Sequence, residues 1–267
     1  MSSDGSSDYP RRIVCLTEET TEVLYALGSG DRVVGISGYT VRPPEARLKP
    51  KVSSFIQADF DRILALSPDL VLTFSDLQAD IARELIRRGV TVMNFNQRSL
   101  EEIYRMIRVL GGMVGKAEEA RLFARKLQDG VEAVREKGEA LLRRPAVFFE
   151  EWPDPLISGI RWVSELIEVA GGRDLFVELR DCQDARRRIV DPGEVARRDP
   201  EVVIASWCGR KVNFSRIRGR PGWDRVSAVR RDKLHEIKST LILQPGPAAL
   251  TEGLRRLHEI IREASLG

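Results

Sequence analysis

The residues able to do covalent or metal chemistry are few in this chain, and their spacing argues against such chemistry. Cys15, Cys182 and Cys208 are scattered, and no pair has the short separation of a metal or redox motif. His235 and His258 lie 23 residues apart, and neither sits in an HExxH segment, so a zinc enzyme is not indicated. A Ser-His-Asp or Cys-His hydrolase has the residue types it needs, but no GxSxG turn marks a nucleophile. Glu150 and Glu151 are adjacent carboxylates, read as solvated groups or as acceptors for a ligand amide rather than as an acid–base pair. The Cys208 thiolate or the His235 ring could reach the metal of a bound ligand, although a free cysteine often serves as a small buried hydrophobe. No catalytic residue, resident metal or catalytic cofactor is assigned. The remaining chemistry is non-covalent binding. Aromatic residues are only 6% of the chain, yet they recur at points where strands are expected to end.

Those ends follow from periodicity. Residues 13–16 form a short apolar run, read as a buried strand. Capping threonines and a helix over 22–27 follow, closed by Gly28 and Gly30. Strands at 33–36, 70–74 and 90–95 alternate with helices at 60–66, 77–88 and 100–110, which argues for parallel βαβ units. Residues 116–144 contain no proline, and Leu122, Phe123, Leu127, Val131 and Val134 recur at helical spacing. At 1.5 Å per residue, such a helix is a rod of roughly 43 Å. The alternation then resumes, with strands at 146–149, 175–177 and 202–205 and helices at 163–169 and 254–263. Residues 58–72 can also be laid on 190–204, matching Asp59 to Asp191, Pro68 to Pro200, Val71 to Val203 and Asp69 to Glu201. A second echo joins the turn at Gly28 to that at Gly171, with an insertion falling around residues 152–159.

The expected fold is therefore α/β: two Rossmann-like lobes with parallel sheets, at residues 11–114 and 145–267, joined by one long rigid helix over 115–144. Two such lobes form a cleft, and open α/β sheets bind ligands outside the carboxyl ends of their strands. The expected ends carry Tyr39, Arg42, Phe74, Trp152, Trp207 and Gln244, suited to a bulky, partly flat ligand. Trp152 is read as lying on a loop before Pro153 and Pro155, and Trp223 as packing.

Composition narrows the class further. With 42% hydrophobic and 31% charged residues the chain is a folded protein, and no stretch approaches the ~18 apolar residues of a membrane span. A net charge of +3 does not indicate a nucleic-acid protein. The basic run between Arg210 and Arg231 reads either as a phosphate patch or as a solvated loop. The first ten residues are polar and hold no apolar leader segment, so a cytoplasmic protein is expected as written, or a periplasmic or cell-surface one if the natural start lies upstream. A monomer is expected.

Five segments in order carry a family resemblance: residues 12–35 with Gly28, Asp31 and Gly35; 61–71 with Pro68; 166–176 with Gly171; 221–229 with Trp223; and 245–254 with Pro245 and Pro247. Together they resemble the ABC-importer substrate-binding proteins for vitamin B12, haem and iron siderophores, most closely the cobalamin-binding branch. The resemblance implies two lobes bridged by a rigid helix, non-catalytic binding of a cobalamin-like corrinoid and an ABC permease as partner. The branch presents aromatics where Phe55 and Phe74 stand and a tyrosine near Arg42, a departure here. Relatives also carry one exposed acid per lobe that docks on permease arginines. Asp61 falls on the first such position; Gly193 stands on the second, with Glu194 beside it. A haem or iron-siderophore binder, and a cytoplasmic enzyme or cofactor-handling protein reusing the cleft, are the alternatives.

Overall fold

The computed structural model describes residues 8–267; residues 1–7, most of the polar start on which the cytoplasmic expectation rested, lie outside them. The chain forms two compact units. One runs to Gln97 and takes in Glu101–Lys126; the other comprises Arg98–Leu100 and Leu127–Gly267. The helix expected over 116–144 spans Ala117–Glu139, 23 residues, and the unit boundary falls inside it. Among the described residues no helix is long and apolar enough to cross a membrane.

The first unit is built on β1 (Ile13–Cys15), β2 (Val33–Ser37), β3 (Lys51–Ser54), β4 (Gln57–Ala58), β5 (Leu70–Phe74) and β6 (Val92–Phe95). Their order across the sheet is β4-β3-β2-β1-β5-β6, parallel except for the short β3–β4 hairpin. β1 and β5 are buried along their whole length, as central parallel strands covered on both faces must be. Val14, Leu16, Ile63, Val71, Ile81 and Leu85 form one core between strands and helices.

The second unit contains β7 (Ala146–Pro153), β8 (Leu156–Ser158), β9 (Arg173–Asp174), β10 (Val202–Ala205) and β11 (Leu234–Glu236). Two expectations are corrected here. β7 runs on to Pro153, so Trp152 stands on a strand, paired with Ile157 of β8, rather than on a loop. The two prolines that suggested a loop instead end this antiparallel hairpin, where Pro153 and Leu156 pair. The strand expected at 175–177 is the two-residue β9, because Val177–Leu179 turns into a 3-10 helix.

The internal repeat extends to hydrogen bonds and backbone angles. β9, β7, β10 and β11 stand to one another as β2, β1, β5 and β6 do, all parallel. The extra hairpin strand β8 lies within the stretch where the sequence echo required an insertion. Asp59 and Asp191 each cap a helix, accepting from the backbone N–H three residues on, at 3.0 Å in both. Ser67 and Asp199 both sit at φ 46° directly before the matching prolines. Asp69 accepts from the Arg12 N–H and Glu201 from the Ala146 N–H, both at 3.0 Å, so each acid ties the entry of its unit's first strand. Gly28 at φ 70° and Gly171 at φ 94° make the left-handed turns that no β-carbon tolerates well.

Candidate functional site

In the first unit the carboxyl ends of the strands are tied together by one amide. The Gln78 side chain is fully buried. Its Nε2 donates to the Phe55 carbonyl at 2.7 Å and the Leu16 carbonyl at 3.3 Å, and its Oε1 accepts from the Phe74 N–H at 2.9 Å. One residue thus joins the chain after β1, the end of β5 and the β3–β4 turn that presents Phe55. Phe74 itself is only 5% exposed, so its ring is packing with an edge to spare. Phe55 and Arg42 are half-buried, and Tyr39 stands out from the loop after β2. Glu19, beside the end of β1, is buried; the Thr17 hydroxyl donates to its Oε1 at 2.7 Å. Burial, with the like charge of Glu18, pushes its carboxyl up to about 8. The Cys15 thiol is buried too and is pushed up to about 12, an inert core position.

In the second unit the adjacent carboxylates are neither solvated nor free. Glu150, fully buried at the end of the parallel part of β7, accepts both nitrogens of the Arg220 fork at 2.7 and 2.9 Å and the Trp207 indole N–H at 3.0 Å. Arg220 also stacks on Trp223, 4.6 Å from the ring centre, and the Trp223 indole N–H donates to the Pro192 carbonyl at 3.0 Å. Glu151 is held by the buried Arg188, at 2.6 and 3.1 Å. This corrects the reading of Glu150, and it removes Arg220 from the solvated run. It also corrects Trp207: at 5% exposure the ring belongs to the core with Phe148, Ile217 and Trp223, and offers no broad wall to a ligand. The reason is its N–H, which has a buried carboxylate to satisfy. Trp152 is half-buried, with Arg210 over its ring at 5.2 Å and its N–H on the Asp154 carbonyl at 3.0 Å. Trp162 is core, its N–H on the Ile242 carbonyl.

Among the described residues, the buried polar atoms near these strand ends without a partner include Thr40 Oγ1 and Ser53 Oγ in the first unit and Ser206 Oγ, Gln244 Oε1 and Arg188 Nε in the second. Each such atom costs roughly 1–3 kcal/mol until a ligand or water meets it. Nothing in the sequence marked Gln78, Glu19, Arg220 or the Ser206 hydroxyl. The roles of Gln78 and Arg220 come from partners remote in sequence, 62 residues away for Gln78 and Leu16 and 70 for Arg220 and Glu150, and those of Glu19 and Ser206 from burial.

The two acids assigned to docking differ. The Asp61 side chain is 97% exposed, with the Arg88 guanidinium at 3.3 Å. Glu194 is gripped by Arg197 and Arg198 at 2.6–2.7 Å, hydrogen bonds that pull its carboxyl down to about 2. Among the described residues no group of three or more His, Cys, Asp or Glu could hold a metal ion.

The chain belongs to the periplasmic binding protein family, whose sequence profile matches residues 13–241. It is 26% identical over 261 residues, 94% of this chain and 80% of the other, to an uncharacterized ABC transporter substrate-binding lipoprotein of Bacillus subtilis. It is 28% identical over 90% of its length to the vitamin B12-binding protein of Vibrio parahaemolyticus, covering 85% of that protein. Among solved structures, the fold matches a periplasmic heme-binding protein from Roseiflexus with a TM-score of 0.83 at 22% identity, covering 96% and 99% of the two chains. It matches the periplasmic vitamin B12 binding protein of Vibrio cholerae with a TM-score of 0.76 at 23% identity, covering 96% and 98%.

Proposed function

We propose that this chain is the ligand-binding component of an ABC importer and that its ligand is a cobalamin-like corrinoid. The name of the Bacillus subtilis relative supports the importer, and that of the Vibrio parahaemolyticus relative supports the corrinoid. The observation that carries the ligand class is the kind of polar group left open at the strand ends. Three hydroxyls and one amide oxygen among them are neutral, and the one charged group, the Arg188 guanidinium, has only its Nε open, its two terminal nitrogens being held by Glu151. The guanidiniums that reach the end of β7, Arg188, Arg216 and Arg220, are already bound by Glu151, Asp154 and Glu150. A corrinoid rim of carboxamides donates and accepts hydrogen bonds without charge, and suits such groups. Haem propionates and anionic ferric siderophores call for cations at that end of β7 that are not already engaged.

Within this reading Tyr39, Arg42, Phe55, Trp152 and Gln244 are the main ligand contacts, with Ser206, Ser53 and Thr40 added by their open hydroxyls, and with Phe74 and Trp207 offering ring edges. Asp61 is the principal docking acid toward the permease, because its carboxylate is the more exposed of the two; Glu194 is largely spent on its arginines. The chemistry is binding, not catalysis. The lipoprotein relative supports an address outside the cytoplasmic membrane, and fractionation of native cells measures it; a cytoplasmic band favours reuse of the fold for cofactor handling.

Calorimetry with cyanocobalamin, haem and ferric siderophores tests the ligand. Cyanocobalamin should bind well below ~100 μM, and Trp152→Ala should cost ~1–3 kcal/mol of that affinity. Tight binding of haem or a siderophore with none of cobalamin overturns the corrinoid.

A further inference from the structure

The edge strand β6 offers a binding surface that none of the foregoing uses. Among the described residues β6 pairs with β5 on one side and with no strand on the other, so it is the edge of its sheet. Met93 and Phe95 lie two residues apart on β6 and share one face. Glu102, Arg105, Met106 and Val109 recur at helical spacing on the helix Leu100–Met113. With Asn96 and Gln97 these side chains line a cavity of about 240 Å³, all within the first unit. Its floor is apolar: Phe95 and Met106 are buried, and Val109 is partly exposed. Thioether sulfur is polarizable and favours aromatic rings, and Met93 and Met106 both line this space. The lining carries two exposed charged groups, the Arg105 guanidinium and, one turn earlier on the same helix, the Glu102 carboxylate, so Arg105 is its one cation. Asn96 and Gln97 follow the end of β6, and Phe95 pairs in register with Phe74, so the cavity reaches the same end of the sheet as the proposed ligand contacts.

We propose that this cavity takes a planar, mostly apolar heteroaromatic ring joined to an acidic group, which in the proposed ligand is the benzimidazole nucleotide arm of cobalamin. The assignment to that arm rests on the corrinoid reading above. The volume is below the ~300–1,000 Å³ of pockets that hold a whole drug-sized ligand, and it suits one two-ring arm. The apolar floor takes the ring, and Arg105 faces the phosphodiester.

The test uses the full chain labelled with 13C-methyl methionine, so that Met93 and Met106 report from the cavity and Met113, on the same helix, serves as control. The probes are cyanocobalamin, dicyanocobinamide, which lacks the nucleotide arm, and the free dimethylbenzimidazole ribose phosphate. Cyanocobalamin and the free arm should shift the Met93 and Met106 methyls, and dicyanocobinamide should not. Cyanocobalamin should also bind about tenfold or more tighter than dicyanocobinamide. Val109→Glu, which puts bulk and negative charge in the cavity lining, should erase that difference and leave dicyanocobinamide binding as in the wild type. If cyanocobalamin binds while both methyls stay still, or dicyanocobinamide moves them equally, the proposal is overturned and the corrinoid reading stands. If neither corrinoid binds, that reading fails, and the free arm alone decides the cavity: shifted methyls support the ring-and-acid class, and unmoved methyls end it.

Discussion

Glu150 and Arg220 show how far a residue's role can depend on what folds against it. A carboxylate taken fully out of water needs its charge and its lone pairs met, and here two guanidinium N–H groups and one indole N–H do so. Arg220→Ala leaves that carboxylate buried and unpaired, and should lower the unfolding free energy by about 3–5 kcal/mol in urea titration. Replacing both partners by apolar residues should cost markedly less, because the desolvation penalty of two charges disappears with their attraction. A loss confined to the double replacement, with Arg220→Ala neutral, would contradict the pairing. The adjacency of Glu150 and Glu151 was visible in the sequence. Their partners were not, since Arg220 looked like any other member of an arginine-rich run and Arg188 like part of a second one.

At the scale of elements, alternation and punctuation were legible and edges were not. Central strands such as β1, β5 and β10 are continuous apolar runs bounded by caps and prolines, so periodicity finds them. The pair β3–β4 is short and half-exposed, and β8 and the last residues of β7 are strands by pairing across their hairpin rather than by their own composition. Gln78 is the clearest case of an element held from outside itself. Gln78→Ala removes the acceptor of the Phe74 N–H and the donor to the Phe55 and Leu16 carbonyls, at a cost of about 1–3 kcal/mol. Amide hydrogen exchange should quicken at Phe74 and through the β3–β4 turn, while β10 and β11 keep their protection. Unchanged exchange at Phe74 would show that the amide does not hold the strand end.

For the whole molecule, a single buried acid makes folding stability depend on pH in an unusual direction. Glu19 has its carboxyl raised from about 4.5 to about 8 by burial. Between those values the folded chain keeps a proton that the unfolded chain gives up. This group's contribution is therefore fully present below the unfolded value and is lost as pH rises toward the folded one, by up to ~1.4 kcal/mol per pH unit. Glu19→Gln, neutral throughout, should flatten the stability profile between pH 5 and 8 and be more stable than the wild type at pH 8. Denaturation curves of the two proteins that stay parallel across that range would refute a buried neutral carboxyl.

The sequence by itself determined the fold class, the long helix, the repeat and the central strands, because each is written in local terms: apolar periodicity, caps three residues from their donors, and prolines before strands. The repeat even carried its αL residues and its strand-tying acids, since these act on neighbours along the chain or on the adjacent strand. Only the tertiary structure decided that Trp207 is core, that Glu150 is an ion-paired anchor, that Gln78 ties three segments and that a methionine-lined cavity opens beside β6. Those outcomes turn on which groups lose water together, and desolvation is a property of contacts between residues distant in sequence, which no local pattern records.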